Sequence, residues 1–169
     1  IAVNLTSKEI ILEQLKAAHD QKNWFVPFTD AVSGLSASDA SKKDSSGNHS
    51  VWGIVNHLIF WNGRWFTRLN GGKPPEMEID NSGTFTDSGT DEEKWLSSVN
   101  KLNETSLAII EKVNNSDDGY LSSEAFPGYG ASWYEMLTQM TIHNAYHIGQ
   151  IVHLRKQFGN WDPSKGVGA

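Results

Sequence analysis

The sequence predicts an all-α fold, a four-helix bundle with long connecting loops. Two observations carry this. Four stretches of the 169 residues repeat their apolar positions at helical 3-4 spacing, and strand-like alternation is nearly absent. Each stretch is also preceded by a Ser or Thr suited to cap a helix.

The first helix opens at Thr6, where Thr6-Ser-Lys-Glu9 has the form of a capping box and Leu5 and Ile10 have hydrophobic-staple spacing. Ile11, Leu15 and Ala18 continue its apolar face. Trp24 and Phe25 follow, and Pro27 kinks or stops the helix. Ser33 to Asn48 is rich in Ser, Asp and Gly and reads as a loop. The second helix starts after Ser50, with Val51, Ile54, Val55, Leu58, Trp61, Trp65 and Leu69 on one face; Gly71, Gly72, Pro74 and Pro75 end it. Residues 73–89 form a long polar loop.

Thr90-Asp-Glu-Glu93 is read as a second capping box that opens the third helix, whose stripe is Trp95, Val99, Leu102, Ser106, Ile109 and Val113. A loop from Asn114 to Gly130 follows. Ser132-Trp-Tyr-Glu135 is a third capping box, and the last helix runs to Phe158 with Gly159 behind it. The chain reads as a single domain over residues 1–169, since this length fits one core. Loops of roughly 15–20 residues are longer than bundle connections usually are, and such loops are often functional.

Composition removes several classes of function. Net charge is −6 and no Lys/Arg cluster exists, so no nucleic-acid partner is expected. With no cysteine, disulfides and thiolate metal sites are excluded, and a metal must use His, Asp, Glu or water. No apolar run approaches the roughly 20 residues that cross a bilayer, and no signal peptide is visible. A cytoplasmic location is expected, although the chain starts at Ile1 and not at Met.

Six histidines are present, and three of them stand out. On the last helix Met136, Met140, His143, His147, Ile151, Leu154 and Phe158 form one stripe. His143 and His147, four residues apart, therefore take core-facing positions and can address one object. His57, in the middle of the second helix, shares a face with Ile54 and Trp61. Imidazole binds Zn²⁺ at about 2.0–2.1 Å, and three protein ligands with an open fourth position is the catalytic pattern. Ni²⁺, Fe²⁺ and Mn²⁺ also accept imidazole. The competing reading is three hydrogen-bonded core histidines, and no HExxH motif is present because Asn144 follows His143. His19, His49 and His153 lie off these stripes.

Neighbouring residues allow further readings. Gln150, three residues past His147, can face the site as an outer-shell or substrate contact, or be an ordinary interhelical Gln. Trp61, Trp65 and Tyr146 can wall a pocket or simply fill the core. Asn56 and Asn144 are turned about 100° from the adjoining histidines. No residue stands out as a general base; Glu124 and Asp30 lie in loops that could reach the site.

The segments Asn56-His57-Leu58 and His143-Asn-Ala-Tyr-His147-Ile-Gly-Gln150, with the closing Leu154-Arg-Lys-Gln-Phe-Gly159, resemble the DinB/YfiT-like metalloenzymes over about residues 5–160. The resemblance implies a four-helix bundle, usually a homodimer, and a divalent metal, zinc or nickel before iron or manganese, held by His57, His143 and His147. Many members carry Arg directly after the last ligand; this chain has Ile148, which puts an anion contact from that position in doubt. Related branches include transferases and isomerases that use low-molecular-weight thiols such as bacillithiol or mycothiol. The expected function is therefore a metal-dependent enzyme on a small molecule, a thiol-dependent S-transferase first. A metal-assisted hydrolase and a non-catalytic, stress-related metal- or ligand-binding protein are the alternatives.

Overall fold

A computed structural model describes residues 4–47 and 49–167. The described residues form seven helices and two 3₁₀ turns joined by loops, with no strand beyond an isolated bridge between Glu124 and Ser132. Four helices are long: α1 (Ser7–His19), α4 (Val51–Leu69), α5 (Glu92–Asn115) and α7 (Trp133–Gln157). They correspond to the four expected ones. α4 packs on α5 and α7, and α1 packs on the same two, so each long helix touches two others. Three short helices, α2 (Phe28–Val32), α3 (Ala37–Ala40) and α6 (Asp118–Ser122), interrupt stretches the sequence reads as loop. Each is only four or five residues long, too short for a periodic apolar face to show. Asn48, the last residue of the expected first loop, lies outside the described residues.

The caps explain most boundaries. Thr6 and Ser132 each accept from the N3 backbone while Glu9 and Glu135 reach back, so both capping boxes form. The expected staple does not bury: Leu5 and Ile10 both remain exposed. Ser50 caps α4 by accepting from the Gly53 N–H at 3.0 Å. At α5 the cap is Asp91 and not Thr90, accepting from Lys94 N–H at 3.1 Å; Asp is the stronger N-cap of the two neighbours. α1 stops at His19, before Trp24 and Phe25. The polar run Asp20-Gln-Lys-Asn23 offers no core-facing side chain to extend it, and Trp24 stands 89 % exposed. Pro27 is the residue before α2, where its missing N–H costs no helical bond. Gly71 and Gly159 take φ of +78° and +71° after α4 and α7, the left-handed turn that favours glycine.

The core forms two adjoining clusters. One, around Trp52, Trp95, Val55, Leu58 and Ile151, joins α4, α5 and α7. The other, around Ile11, Ile109, Trp133, Met136 and Leu137, joins α1, α5 and α7. Arg155, only 4 % exposed, ties α2 to α7 by donating to the carbonyls of Ala31 and Ser33 at 2.8 and 3.1 Å, and to that of Asn160 at 2.8 Å. No helix among the described residues is long and apolar enough to cross a membrane.

Candidate metal centre

α4 and α7 pack against each other, and the histidines of their inner stripes meet. One ring nitrogen from each of His57, His143 and His147 lies within 4.8 Å of the other two. His57 Nε2 and His143 Nε2 are 3.1 Å apart, and the rings of His143 and His147 are 4.6 Å apart. His57 and His147 are buried and His143 is half-buried.

The hydrogen bonds orient the lone pairs. The Thr84 hydroxyl donates its one proton to the Asn81 carbonyl at 2.6 Å. Its oxygen can then only accept from His57 Nδ1, 2.6 Å away. The proton of neutral His57 therefore sits on Nδ1, leaving Nε2 as a bare lone pair. His147 Nδ1 lies 2.7 Å from Gln150 Oε1, an acceptor, so the same reasoning frees His147 Nε2. Burial, first, and then the neighbouring imidazoles hold His57 and His147 down to pKa values of about 3 and about 4. Burial lowers His143 as well, with Asn144 acting the other way. All three are neutral near pH 7, the form in which imidazole binds metal.

The donor set fits a metal ion. Two nitrogens bound at about 2.0–2.1 Å to one ion stand roughly 3 Å apart at common ligand angles, which matches the His57–His143 separation of 3.1 Å. In the metal-free protein His143 Nε2–H can donate to the His57 Nε2 lone pair at that distance, and a bound cation would take the place of that proton.

A loop supplies what the sequence did not reveal. Residues 81–87 lie against α4 through Trp61 Nε1 donating to Asn81 Oδ1 at 3.1 Å, Asn56 Nδ2 to the Thr86 carbonyl at 2.7 Å, and Ser50 Oγ to Asp87 Oδ2 at 2.8 Å. Gly53 makes the close approach possible: a Cβ there would stand 3.4 Å from the Phe85 carbonyl oxygen and 3.2 Å from Ser50 Oγ. The loop thereby buries Thr84, 4 % exposed, and stacks Phe85 on His57 with ring centres 4.0 Å apart. His49 stacks on the far face of this group, 3.7 Å from Phe85. A buried-type aromatic in an otherwise polar loop was the one available signal.

The other expected contacts divide. Gln150 reaches His147, as described. Trp61 stands edge-on to His57 at 6.5 Å and, with Trp65, Tyr129 and Met136, lines a pocket of about 170 Å³ that opens beside His143. Tyr146 is 64 % exposed and sits 5.2 Å from the His147 ring, on the outer side of the triad. Glu124 is bound to the Gly130 N–H at 2.8 Å, and Asp30 pairs with Lys22 at 3.7 Å; neither joins the histidine cluster. Ile148 is buried in the core. His19 is buried against Asn103, a hydrogen-bonded core histidine, and His153 is exposed.

The depressed imidazoles set a pH dependence. In the unfolded chain they titrate near 6.5. Below that value the unfolded state takes up protons that folded His57 and His147 refuse, so it binds more protons and stability falls on acidification. Each fully depressed imidazole costs about 2 kcal/mol at pH 5. Melting of the metal-free protein is expected to shift downward between about pH 7 and about pH 5, with a shallower slope in His147→Gln; a flat profile in the wild type would contradict the burial of neutral imidazoles.

No curated protein and no solved structure matches the chain. The DinB family matches residues 14–165, a span that includes all three clustered histidines and most of the sequence. The chain belongs to the DinB family.

Proposed function

We propose that the protein is a divalent-metal-dependent enzyme acting on a small molecule, with His57, His143 and His147 as the metal ligands and thiol-dependent S-transfer as the reaction class. The observation that supports it most is the convergence of neutral ring nitrogens whose other nitrogens are held by Thr84 and Gln150. Protein sites of this kind fix the tautomer of each ligand from outside. The four long helices serve as a bundle that carries the donors on facing helices. Zinc or nickel suits three imidazoles, and iron or manganese is also compatible. A cytoplasmic homodimer is the setting we propose.

Bound there, a divalent ion would lower the pKa of a thiol or water in its open position and so supply a nucleophile near neutral pH. The chain's own residues do the rest. Thr84 and Gln150 keep the imidazoles in register, and Phe85 covers His57. Trp61, Trp65 and Tyr129 offer an apolar wall beside His143 for the acceptor. The preference for a thiol rests on likeness to related branches of the family.

The test is an assay of the metal-loaded protein with bacillithiol, glutathione or coenzyme A and an electrophilic acceptor. Metal-dependent consumption of a thiol supports S-transfer. Hydrolysis of an activated ester without thiol moves the assignment to a hydrolase, and absence of both moves it to a binding protein. Thr84→Val keeps the shape but removes the acceptor of His57 Nδ1–H, and metal affinity is expected to fall about 10- to 100-fold. A competition titration giving unchanged affinity would remove Thr84 from this role.

A further inference from the structure

A second concave site lies at the far end of α4. A groove of about 570 Å³ runs between that end, residues 71–76 and the segment before α7. Pockets for small ligands span roughly 300–1,000 Å³. Arg64, Arg68 and Lys73 stand on it, in a chain whose net charge is −6. The Arg68 guanidinium lies over the rings of both Trp65 and Phe126, at 5.1 and 5.0 Å. Stacking uses its face and leaves its N–H edge unspent; it makes no hydrogen bond or ion pair among the described residues. Arg64 is held from two sides, by Nη1 donating to the Pro75 carbonyl at 2.7 Å and by the Phe60 ring at 5.4 Å. Its Nε is buried without a partner.

These guanidiniums are pinned near each other. Burial first, and then the charge of Arg64, push the Arg68 pKa below its ordinary value. Glu76 and Glu124 also line the groove. Glu124 is engaged by the Gly130 N–H, and neither carboxylate pairs with the arginines among the described residues. Two fixed like charges with free donors and an apolar wall of Phe126 and Pro127 are unfavourable alone and complementary to an oxyanion on an apolar body.

We propose that this groove binds a small organic acid, its carboxylate or phosphate received by Arg64 and Arg68 and its apolar body lying against Phe126 and Pro127. The proposal is independent of the metal-site reading, because His143 faces a different pocket.

The test is calorimetric titration of the full chain at low ionic strength with phenylacetate, phenyl phosphate and inorganic phosphate. The phenyl probe whose head group fits is expected to saturate with a Kd on the order of 1 mM or tighter, about tenfold below that of inorganic phosphate. Which of the two binds tighter tells carboxylate from phosphate. Arg64→Gln/Arg68→Gln is expected to weaken it by about tenfold or more, whereas Lys94→Gln on α5 and His143→Ala leave it unchanged. If the double variant melts early, Arg68→Gln alone keeps the Arg64 anchor and carries the same comparison. Absence of saturable binding in the wild type, equal binding by the arginine variant, equal loss in Lys94→Gln, or no advantage of a phenyl probe over inorganic phosphate would overturn the proposal.

Discussion

His143→Ala is expected to abolish the stabilisation that the proposed divalent metal would give while leaving the metal-free fold nearly intact. Metal that binds only the folded chain stabilises it by RT ln(1 + [M]/Kd), about 2.7 kcal/mol at a hundredfold excess over Kd. For a chain of this length that is a rise in Tm of roughly 5–10 °C. His143 is the variant of choice because it is the least buried of the three, so its loss opens little cavity. Its imidazole also faces His57 directly at 3.1 Å, so removal breaks the closest donor pair. His153→Ala, exposed on the same helix, should keep the full increment. Differential scanning fluorimetry with and without Zn²⁺ or Ni²⁺ reads the effect, and an undiminished increment in His143→Ala would refute its place among the ligands.

Trp95→Ala is expected to be the most damaging substitution for the fold. Trp95 is 1 % exposed and meets Trp52 edge-on at 5.6 Å, where α4 and α5 join. Its Nε1 donates to the Leu35 carbonyl at 2.7 Å and so fastens the loop between α2 and α3 onto α5. Truncation leaves a large cavity and an unpaired buried carbonyl. Loss of a buried tryptophan costs about 3–5 kcal/mol, and the orphaned carbonyl adds about 1–3 kcal/mol. Against a total stability of about 5–15 kcal/mol, a fall in Tm of roughly 10 °C or more is expected. Trp24→Ala, at 89 % exposure, should change Tm little. Thermal melts of the two variants settle the contrast; equal effects would show that the core is not organised around Trp95.

The contrast between these two tryptophans shows what a periodic pattern can reveal. Trp95 falls on the α5 stripe with Leu102, Ile109 and Val113, and all four are buried. Trp24 followed the apolar face of α1 by proximity only, and polar residues 20–23 break the helix before it. Likewise His143 and His147 were legible because helical spacing fixes which face they share, and His57 because it stands with Ile54 on the inner side of α4.

Residues supplied by loops were not legible. Thr84, Phe85 and His49 reach the histidines through tertiary contacts that carry no period: the hydrogen bonds of Asn56, Trp61 and Ser50, and the space left by Gly53. The short helices α2, α3 and α6 leave no sequence signal for a related reason, since one turn of helix displays no repeat. Sequence alone puts the cap of α5 one residue early, at Thr90, because Thr90 and Asp91 are both good caps and only the backbone decides between them. His19 is buried although its neighbours are polar, because Asn103 on α5 receives it. The identity of a partner on another helix is invisible to local pattern.

The proposed binding of one divalent ion by three imidazoles on α4 and α7 is tested by X-ray absorption on tag-free protein loaded with Zn²⁺ or Ni²⁺, joined to elemental analysis of the same sample. One ion per chain is expected, with imidazole scattering from about three histidines at about 2.0–2.1 Å for zinc, and loss of that signal in His143→Ala. Less than about a tenth of an equivalent after loading, or a first shell without imidazole, would contradict it.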